Sequence, residues 1–169
     1  MEYESENRLI FKDADDFEEV RAMNQNLTFS SMEESFQKRN IPFSEEEFAS
    51  LGLRNPADKQ YTNLAWILSD QCQHTLKIAV FEGEDKSIFK DRREFSGSIF
   101  RQLEEGYVYL QLVNRTAGRF SDLEMNDLTD YPEEALREAL LNAVIHRDYS
   151  FGGSVIINAN VACIEFISP

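Results

Sequence analysis

The stretch LREALLNAVIHRDYS, residues 136 to 150, contains the helix from which the fold can be argued. Its apolar residues recur at spacings of three and four, which is the period of one face of an α-helix. They are Leu136, Ala139, Leu140, Ala143 and Val144. Pro132 followed by two acids is good chemistry for a helix start. The pattern therefore predicts a helix from Pro132 to about Arg147, with its apolar face against a sheet.

A second row of residues on this helix has polar side chains, and we call it the polar file. It consists of Glu138, Asn142 and His146, which are spaced four residues apart. Their side chains therefore lie about one turn from each other along one flank of the helix. A carboxylate and an amide one turn apart can share a hydrated divalent cation, with the amide oxygen as ligand and the carboxylate as base or outer-shell contact. The alternative is a solvated flank that includes a Glu/Asn pair, and the spacing alone favours this alternative.

Segments with the two-residue period of β-strands lie on both sides of this helix. SVIIN and CIEFI follow it and predict an antiparallel pair, while TLKIAVFEG predicts an earlier strand with KSIFKDRREF as its partner. Between them, SGSIFRQLEEGYVYLQLVN, residues 96 to 114, predicts a helix despite Gly106 at its centre. Residues 119–130 are acidic and predicted to be extended.

The N-terminal part predicts small helices joined by turns. We expect a helix over residues 13–25, two capping boxes at Ser31 with Glu34 and at Ser44 with Glu47, and a helix over residues 61–72. The predicted fold class is α+β: small N-terminal helices, then a mixed or antiparallel sheet with helices packed on one face. We divide the chain into a helical subdomain, residues 1–58, and an α+β domain, residues 59–169.

The net charge of −14 argues against direct binding of DNA, because a protein that grips phosphates needs a basic face. The main basic cluster, interleaved with acids, is more typical of a solvated strand edge; it comprises Lys86, Lys90, Arg92, Arg93 and Arg101. Two widely spaced cysteines, Cys72 and Cys163, indicate two reduced, mostly buried thiols in a cytoplasmic protein. No apolar run is long enough to span a bilayer, so we expect no membrane association.

Other candidate chemistry is sparse. Cys72 and His74 could form a nucleophilic pair, but a buried thiol beside a helix-ending histidine explains them more simply. Trp66, Tyr107 and Tyr109 fit a core or an interface better than a platform for stacking bases. These residues are therefore weaker candidates for a functional site than the polar file.

Several blocks of the chain, in order, resemble one family. The last block is DYPEEALREALLNAVIHRDYS with VIIN and IEFISP. The blocks before it are RAMNQNLTF, YTNLAWILSDQCQHTLKIAVFEG and FKDRREFSGSIFRQLEEGYVYLQLVNRT. Together they are similar to bacterial RecG-helicase-like transcriptional regulators. In these proteins the region opens a divergent ATP-binding domain of the histidine kinase and gyrase type. The resemblance implies an upstream Schlafen-type, AlbA-like DNA-binding domain and often a downstream winged helix-turn-helix.

The resemblance also implies roles for individual residues. In the wider ATPase superfamily an ExxxN motif opens the nucleotide site, so Glu138 would be the general base and Asn142 the magnesium ligand. His146, Arg147 and Asp148 belong to the family's HRDYS signature, and we assign them to cofactor binding. The implied cofactor is Mg-ATP in the full-length protein. DNA would be contacted through other domains, and a homodimer is a further expectation.

The chain departs from the family pattern in two places. Relatives carry an Asp-Asp-Arg turn before the IEF strand, where this chain has Val161, Ala162 and Cys163. The superfamily's glycine-rich nucleotide motifs would lie after ISP, so we expect the chain to be a fragment that binds no nucleotide by itself. Three hypotheses follow: a regulatory module of a transcriptional regulator that binds ATP when intact, a true ATPase, and a structural or dimerisation module.

Overall fold

A computed structural model of the protein describes residues 17–84, 86–116 and 130–169. It contains four helices, α1 Ser30–Lys38, α2 Asn63–Leu68, α3 Ile99–Thr116 and α4 Glu133–Ile145, within these ranges. The four strands of the same ranges are β1 Thr75–Glu82, β2 Ile88–Phe95, β3 Ser154–Ala159 and β4 Ile164–Ile167. Short 3₁₀ helices occupy Phe17–Glu19 and Glu45–Glu47. No helix in the described ranges is both long enough and apolar enough to cross a membrane.

The described residues divide into two compact units. The first contains residues 17–73, 97–100 and 148–152, and the second contains residues 74–84, 86–96, 101–116, 130–147 and 153–169. The prediction that the chain divides after residue 58 stays a prediction.

An aromatic cluster forms the core of the first unit. The rings of Phe29 and Phe48 meet edge to face with their centroids 5.4 Å apart, and Phe36 meets Phe43 in the same way at 5.3 Å. Such pairs add roughly 1 kcal/mol each beyond the burial of their area. Leu53 and Ala65 in the same cluster are fully buried. The short α2 is capped by Thr62, whose hydroxyl accepts a hydrogen bond from the Ala65 N–H at 3.2 Å.

Helix α1 is capped by a residue from far along the chain. Asp70 accepts hydrogen bonds from the backbone N–H groups of Ser30, at 2.9 Å, and Ser31, at 3.2 Å. It also accepts one from the hydroxyl of Thr28 at 2.8 Å. The predicted capping box at Ser31 is wrong, because the helix begins at Ser30 with Phe29 in the cap position. The capping box that begins at Ser44 is confirmed.

The predicted helix over residues 13–25 is wrong within its described part, residues 17–25. Only Phe17–Glu19 are helical, as a single 3₁₀ turn. After that turn the chain pairs with residues 61–63: the Ala22 N–H donates to the carbonyl of Tyr61 at 2.9 Å, and the Asn63 N–H donates to the carbonyl of Val20 at 2.7 Å. This long-range pairing outweighs the local helical pattern. The part of the predicted segment at residues 13–16 lies outside the described residues.

The second unit is built on a four-stranded mixed sheet with the strand order β2-β1-β3-β4. β1 pairs antiparallel with β2 and parallel with β3, and β3 pairs antiparallel with β4. The α+β prediction is therefore confirmed, including both hairpins. A β-bulge between Val80 and Phe81 shifts the register of the first hairpin. The extended segment predicted at residues 119–130 lies outside the described residues except for Asp130.

Side chains on one side of the sheet are buried under helix α3. Leu76 and Ile78 of β1 are almost fully buried, as are Val155 and Ile157, their partners on β3. Gly106 of α3 lies against Leu76 and Ile78. Helices α3 and α4 are joined by a hydrogen bond from the Tyr107 hydroxyl to the Glu133 carbonyl at 3.3 Å. On the opposite side of the sheet, Lys77 and Ile156 are exposed.

Candidate functional site

The apolar face predicted for α4 is confirmed. Leu136, Leu140, Ala143 and Val144 are buried, and Ala139 is half-buried. Acids in the first turn, Glu133 and Glu134, favour the helix start through the positive end of the helix dipole. The burial of this face fixes the rotation of the helix, and therefore fixes which flank is presented to solvent.

The polar file lies on the exposed side of the helix. Glu138, Asn142 and His146 are all exposed. His146 is the C-cap residue, and its backbone N–H donates to the carbonyl of Asn142 at 3.1 Å. Among the described residues, the side chains of Glu138 and Asn142 form no hydrogen bond or ion pair. Both groups are therefore available for a ligand, although a solvated flank has the same appearance.

The described residues contain no group of three or more His, Cys, Asp and Glu side chains placed to hold a metal ion. A magnesium ion that arrives with a nucleotide needs no such group, because phosphate oxygens and water supply most of its ligands. The Asn142 amide could supply one oxygen ligand, and the Glu138 carboxylate could accept a proton from a water molecule. The assignment of these roles stays a prediction.

The HRDYS signature differs in exposure from one residue to the next. Arg147 is buried, and its Nη2 donates to the carbonyl of Gly153 at 3.2 Å. The Asp148 carboxylate is exposed and accepts a hydrogen bond from the Ser150 N–H at 2.9 Å, while Tyr149 is buried. These contacts favour a structural contribution from Arg147. The cofactor-binding roles predicted for His146, Arg147 and Asp148 stay predictions.

His74, like Arg147, is buried and belongs to the second unit. Its side chain is 6% exposed, and its carbonyl accepts a hydrogen bond from Gln102 at 2.8 Å. Burial lowers the pKa of the His74 imidazole, and the positive charge of Arg147 lowers it further, while a hydrogen bond involving Gly153 opposes the shift. The sequence does not predict this arrangement, because nothing in the spacing links His74 to a residue 73 positions later.

Cys72 is buried, which agrees with the simpler interpretation of a thiol in a core. Cys163 is exposed, so the prediction that both thiols are mostly buried is wrong at that residue.

Three of the five residues in the basic cluster are paired with acids. Lys86 bonds to Glu165, and Arg101 bonds to Glu105 one helical turn later at 2.8 Å. Arg93 lies 3.8 Å from Asp91 and stacks on the ring of Tyr109. Such pairing leaves little net positive potential for phosphates. The contacts fit the interpretation of this region as a solvated strand edge.

Asn160 organises the turn between β3 and β4. Its side-chain oxygen accepts hydrogen bonds from the N–H groups of Ala162, at 2.9 Å, and Cys163, at 2.8 Å. The Tyr131 hydroxyl donates to the carbonyl of Ala162 at 3.4 Å. Val161 at the tip is 67% exposed. These hydrogen bonds give the turn a tight backbone geometry.

No protein-family model matches the chain, and no curated protein matches it at a significant level. Among solved structures, the chain is similar to the crystal structure of the DIP2311 protein from Corynebacterium diphtheriae, with a TM-score of 0.70 and 17% sequence identity. The match covers 90% of this chain and 27% of the other chain. At this identity the likeness shows a shared fold, and this chain spans about a quarter of the length of that neighbour.

Proposed function

We propose that the chain is a regulatory module of a bacterial, cytoplasmic transcriptional regulator, and that the intact protein binds Mg-ATP beside helix α4. One observation carries the proposal. The apolar face of α4 is buried, and the same helix holds Glu138 and Asn142 on its exposed flank without partners among the described residues. The resemblance of the flanking sequence to RecG-helicase-like regulators supplies the identity of the ligand.

In this proposal Asn142 binds the magnesium ion through its amide oxygen, and Glu138 orients or deprotonates the attacking water. The two side chains are one helical turn apart, which places them about 6 Å from each other along the helix. Phosphate contacts come from parts of the intact protein other than α4. Binding of DNA is likewise assigned to other domains, because the net charge of −14 opposes contact with phosphates.

The test is calorimetric titration of the full-length protein with Mg-ATP, together with two Asn→Ala variants. Asn142→Ala removes the proposed magnesium ligand, and Asn26→Ala makes the same change at an exposed residue of the first unit. We expect native affinity for Asn26→Ala and at least tenfold weaker binding for Asn142→Ala. Equal affinity in both variants, or no binding by the native protein, would contradict the proposal.

Hydrolysis is tested separately from binding. Glu138→Gln keeps the size of the side chain and removes its basicity, so it should preserve the affinity for Mg-ATP and reduce the rate of phosphate release. If the native protein binds ATP without hydrolysing it, the module is an ATP sensor rather than an ATPase. In that case Glu138→Gln should leave the binding isotherm unchanged.

A second candidate function is a structural or dimerisation module. It is favoured by the apolar residues exposed on the sheet: Phe89 is 62% exposed, Ile167 is 43% exposed and Ile156 is 38% exposed. Exposed apolar patches often mark contacts between proteins. Sedimentation equilibrium of the native protein and of Ile156→Glu tests this function, because a dimer formed through this surface would dissociate in the variant.

A further inference from the structure

A cavity of about 340 Å³ lies in the second unit, on the side of the sheet that α3 covers. Its volume is at the lower end of the range for small-molecule sites. Apolar side chains form most of its wall; they include Val80, Phe81, Leu112, Val113, Ala159 and Ile164. The residues of the proposed nucleotide site on α4 do not line it. The cavity is therefore separate from that proposed site.

The β-bulge places a cation at the cavity. Asp91 pairs with Val80 and Phe89 pairs with Phe81, so Lys90 between them is the extra residue of the bulge. A bulge interrupts the alternation of side chains and can redirect one of them toward a site. Lys90 lines the cavity, and its ammonium group forms no ion pair with any described residue.

The carboxylate of Asp91, next to Lys90 in the chain, already has partners of its own. Asp91 accepts a hydrogen bond from the Tyr109 hydroxyl at 2.7 Å and one from the Arg92 N–H at 2.8 Å, and the Arg93 Nε is 3.8 Å away. The amide of Asn114 is also occupied, since it exchanges two hydrogen bonds with the backbone of Tyr131. Asp130 is the other acid of the lining.

We propose that this cavity binds a small amphipathic anion, an aromatic or branched aliphatic carboxylate, with its apolar body among Val80, Val113 and Ile164 and its carboxylate beside Lys90. Among the described residues, two cations line the cavity, Lys90 and Arg93. Arg93 lies near Asp91, whereas Lys90 forms no ion pair with a described residue. The apolar wall favours a ligand body without further hydrogen-bonding groups, because a buried polar group without a partner is costly. Such a ligand would act as an effector separate from any nucleotide.

The probes are 4-phenylbutyrate and 4-phenylbutanamide, which share a shape and differ in charge. Each is titrated into the 169-residue chain, and the amide NMR signals of the cavity residues are followed. For a ligand of this size we expect the carboxylate to bind with a Kd on the order of 1 mM. The neutral amide should bind about tenfold more weakly. Equal affinity for the two probes, or no saturable shift at the cavity, would overturn the proposal.

Three variants locate the site. Lys90→Gln should remove the preference for the carboxylate, and Val113→Phe should fill the cavity and abolish the binding of both probes. Lys77→Gln is the matched control, because Lys77 is an exposed lysine of the neighbouring strand that does not line this cavity. Loss of the preference in Lys77→Gln, or its retention in Lys90→Gln, would overturn the proposal. Circular dichroism confirms that each variant is folded.

Discussion

Gly106 of α3 lies so close to Leu76 of β1 that a Cβ atom on the glycine would be 2.5 Å from the leucine Cδ2. Alanine in place of glycine inside a helix is normally stabilising by about 1 kcal/mol. Here Leu76 is fully buried and has little room to move, so overpacking should cost about 1 to 3 kcal/mol and outweigh that gain. We predict that Gly106→Ala lowers the free energy of unfolding, measured with urea.

The control for this prediction is Gly152→Ala, because a Cβ atom on Gly152 would meet no heavy atom within 4 Å. Its free energy of unfolding should change by less than about 0.5 kcal/mol. The double variant with Leu76→Ala tests the cause directly: the truncated leucine makes room for the new methyl group, so the two changes should not be additive. Additive effects would show that the clash is not the source of the destabilisation.

Asp70 stabilises α1 through its ionised form. Burial alone would raise the pKa of its carboxyl, but hydrogen bonds from Thr28, Ser30 and Ser31 lower that pKa overall. Because the folded-state pKa is depressed, this stabilisation is present above about pH 4 and is lost as the pH falls through the folded-state pKa. We predict that Asp70→Ala loses about 1 to 2 kcal/mol of unfolding free energy at pH 7.

The pH dependence distinguishes the charge of Asp70 from its shape. The difference in unfolding free energy between the native protein and Asp70→Asn should shrink as the pH falls below about 4. A difference that stays constant over that range would contradict the prediction. Glu46→Ala, a change at an exposed acid of the same unit, should leave the stability at pH 7 nearly unchanged.

The phenol of Tyr109 should lose its proton at an unusually high pH. Burial raises the pKa of its phenol to about 12, and the hydrogen bond to Asp91 contributes to the shift. A tyrosine whose folded-state pKa lies above the ordinary value of about 10 stabilises the fold below pH 10, and this stabilisation is lost as the pH rises toward 12. We predict that Tyr109→Phe loses less stability than the native protein between these two pH values.

The measurement combines thermal unfolding with tyrosinate absorbance. The chain has six tyrosines, so the native titration is compared with that of Tyr109→Phe to isolate one phenol. The difference curve should show a single group that titrates near pH 12. A difference curve centred near pH 10 would show that Tyr109 is not shielded in solution.

Arg147 and the two residues of the ExxxN motif should respond differently to substitution. Arg147 is buried and donates to the carbonyl of Gly153, so Arg147→Met should cost about 2 kcal/mol of unfolding free energy. Glu138→Gln and Asn142→Ala change exposed side chains and should each shift it by less than about 0.5 kcal/mol. Urea unfolding of all three variants checks this. A large loss in Glu138→Gln would indicate that its carboxylate serves the fold.

The sequence predicts the second unit well because its signals are local. The alternation in β1, the three- and four-residue spacing in α4 and the two hairpins each repeat over consecutive residues, and all are present in the structure. Gly106 shows the limit of such reasoning. A glycine within a helical sequence pattern indicates a less stable helix, whereas the structure shows that Gly106 permits close contact between α3 and Leu76.

The features that the sequence did not predict depend on partners far along the chain. The cap of α1 comes from Asp70, 40 residues after Ser30, and no local motif indicates it. The pairing of Ala22 with Tyr61 replaces a helix that the local pattern favours. The position of Lys90 at the cavity follows from a one-residue shift in the register of β1 and β2. The exposure of Glu138 and Asn142 could be predicted, because it follows from the apolar face of the same helix.

The parallel pairing of β1 with β3 has a consequence for the time course of folding. The hydroxyls of Thr75 and Ser154 lie 2.8 Å apart across this pairing, although 79 residues separate them in the chain. Closure of so long a loop carries a large entropic cost before any contact rewards it, and folding slows as such contacts dominate. During synthesis on the ribosome, β1 can pair with β2 early, but its other edge stays open until β3 emerges. We therefore expect the nascent chain to depend most on chaperones while the β1–β2 hairpin has formed and β3 has not yet emerged.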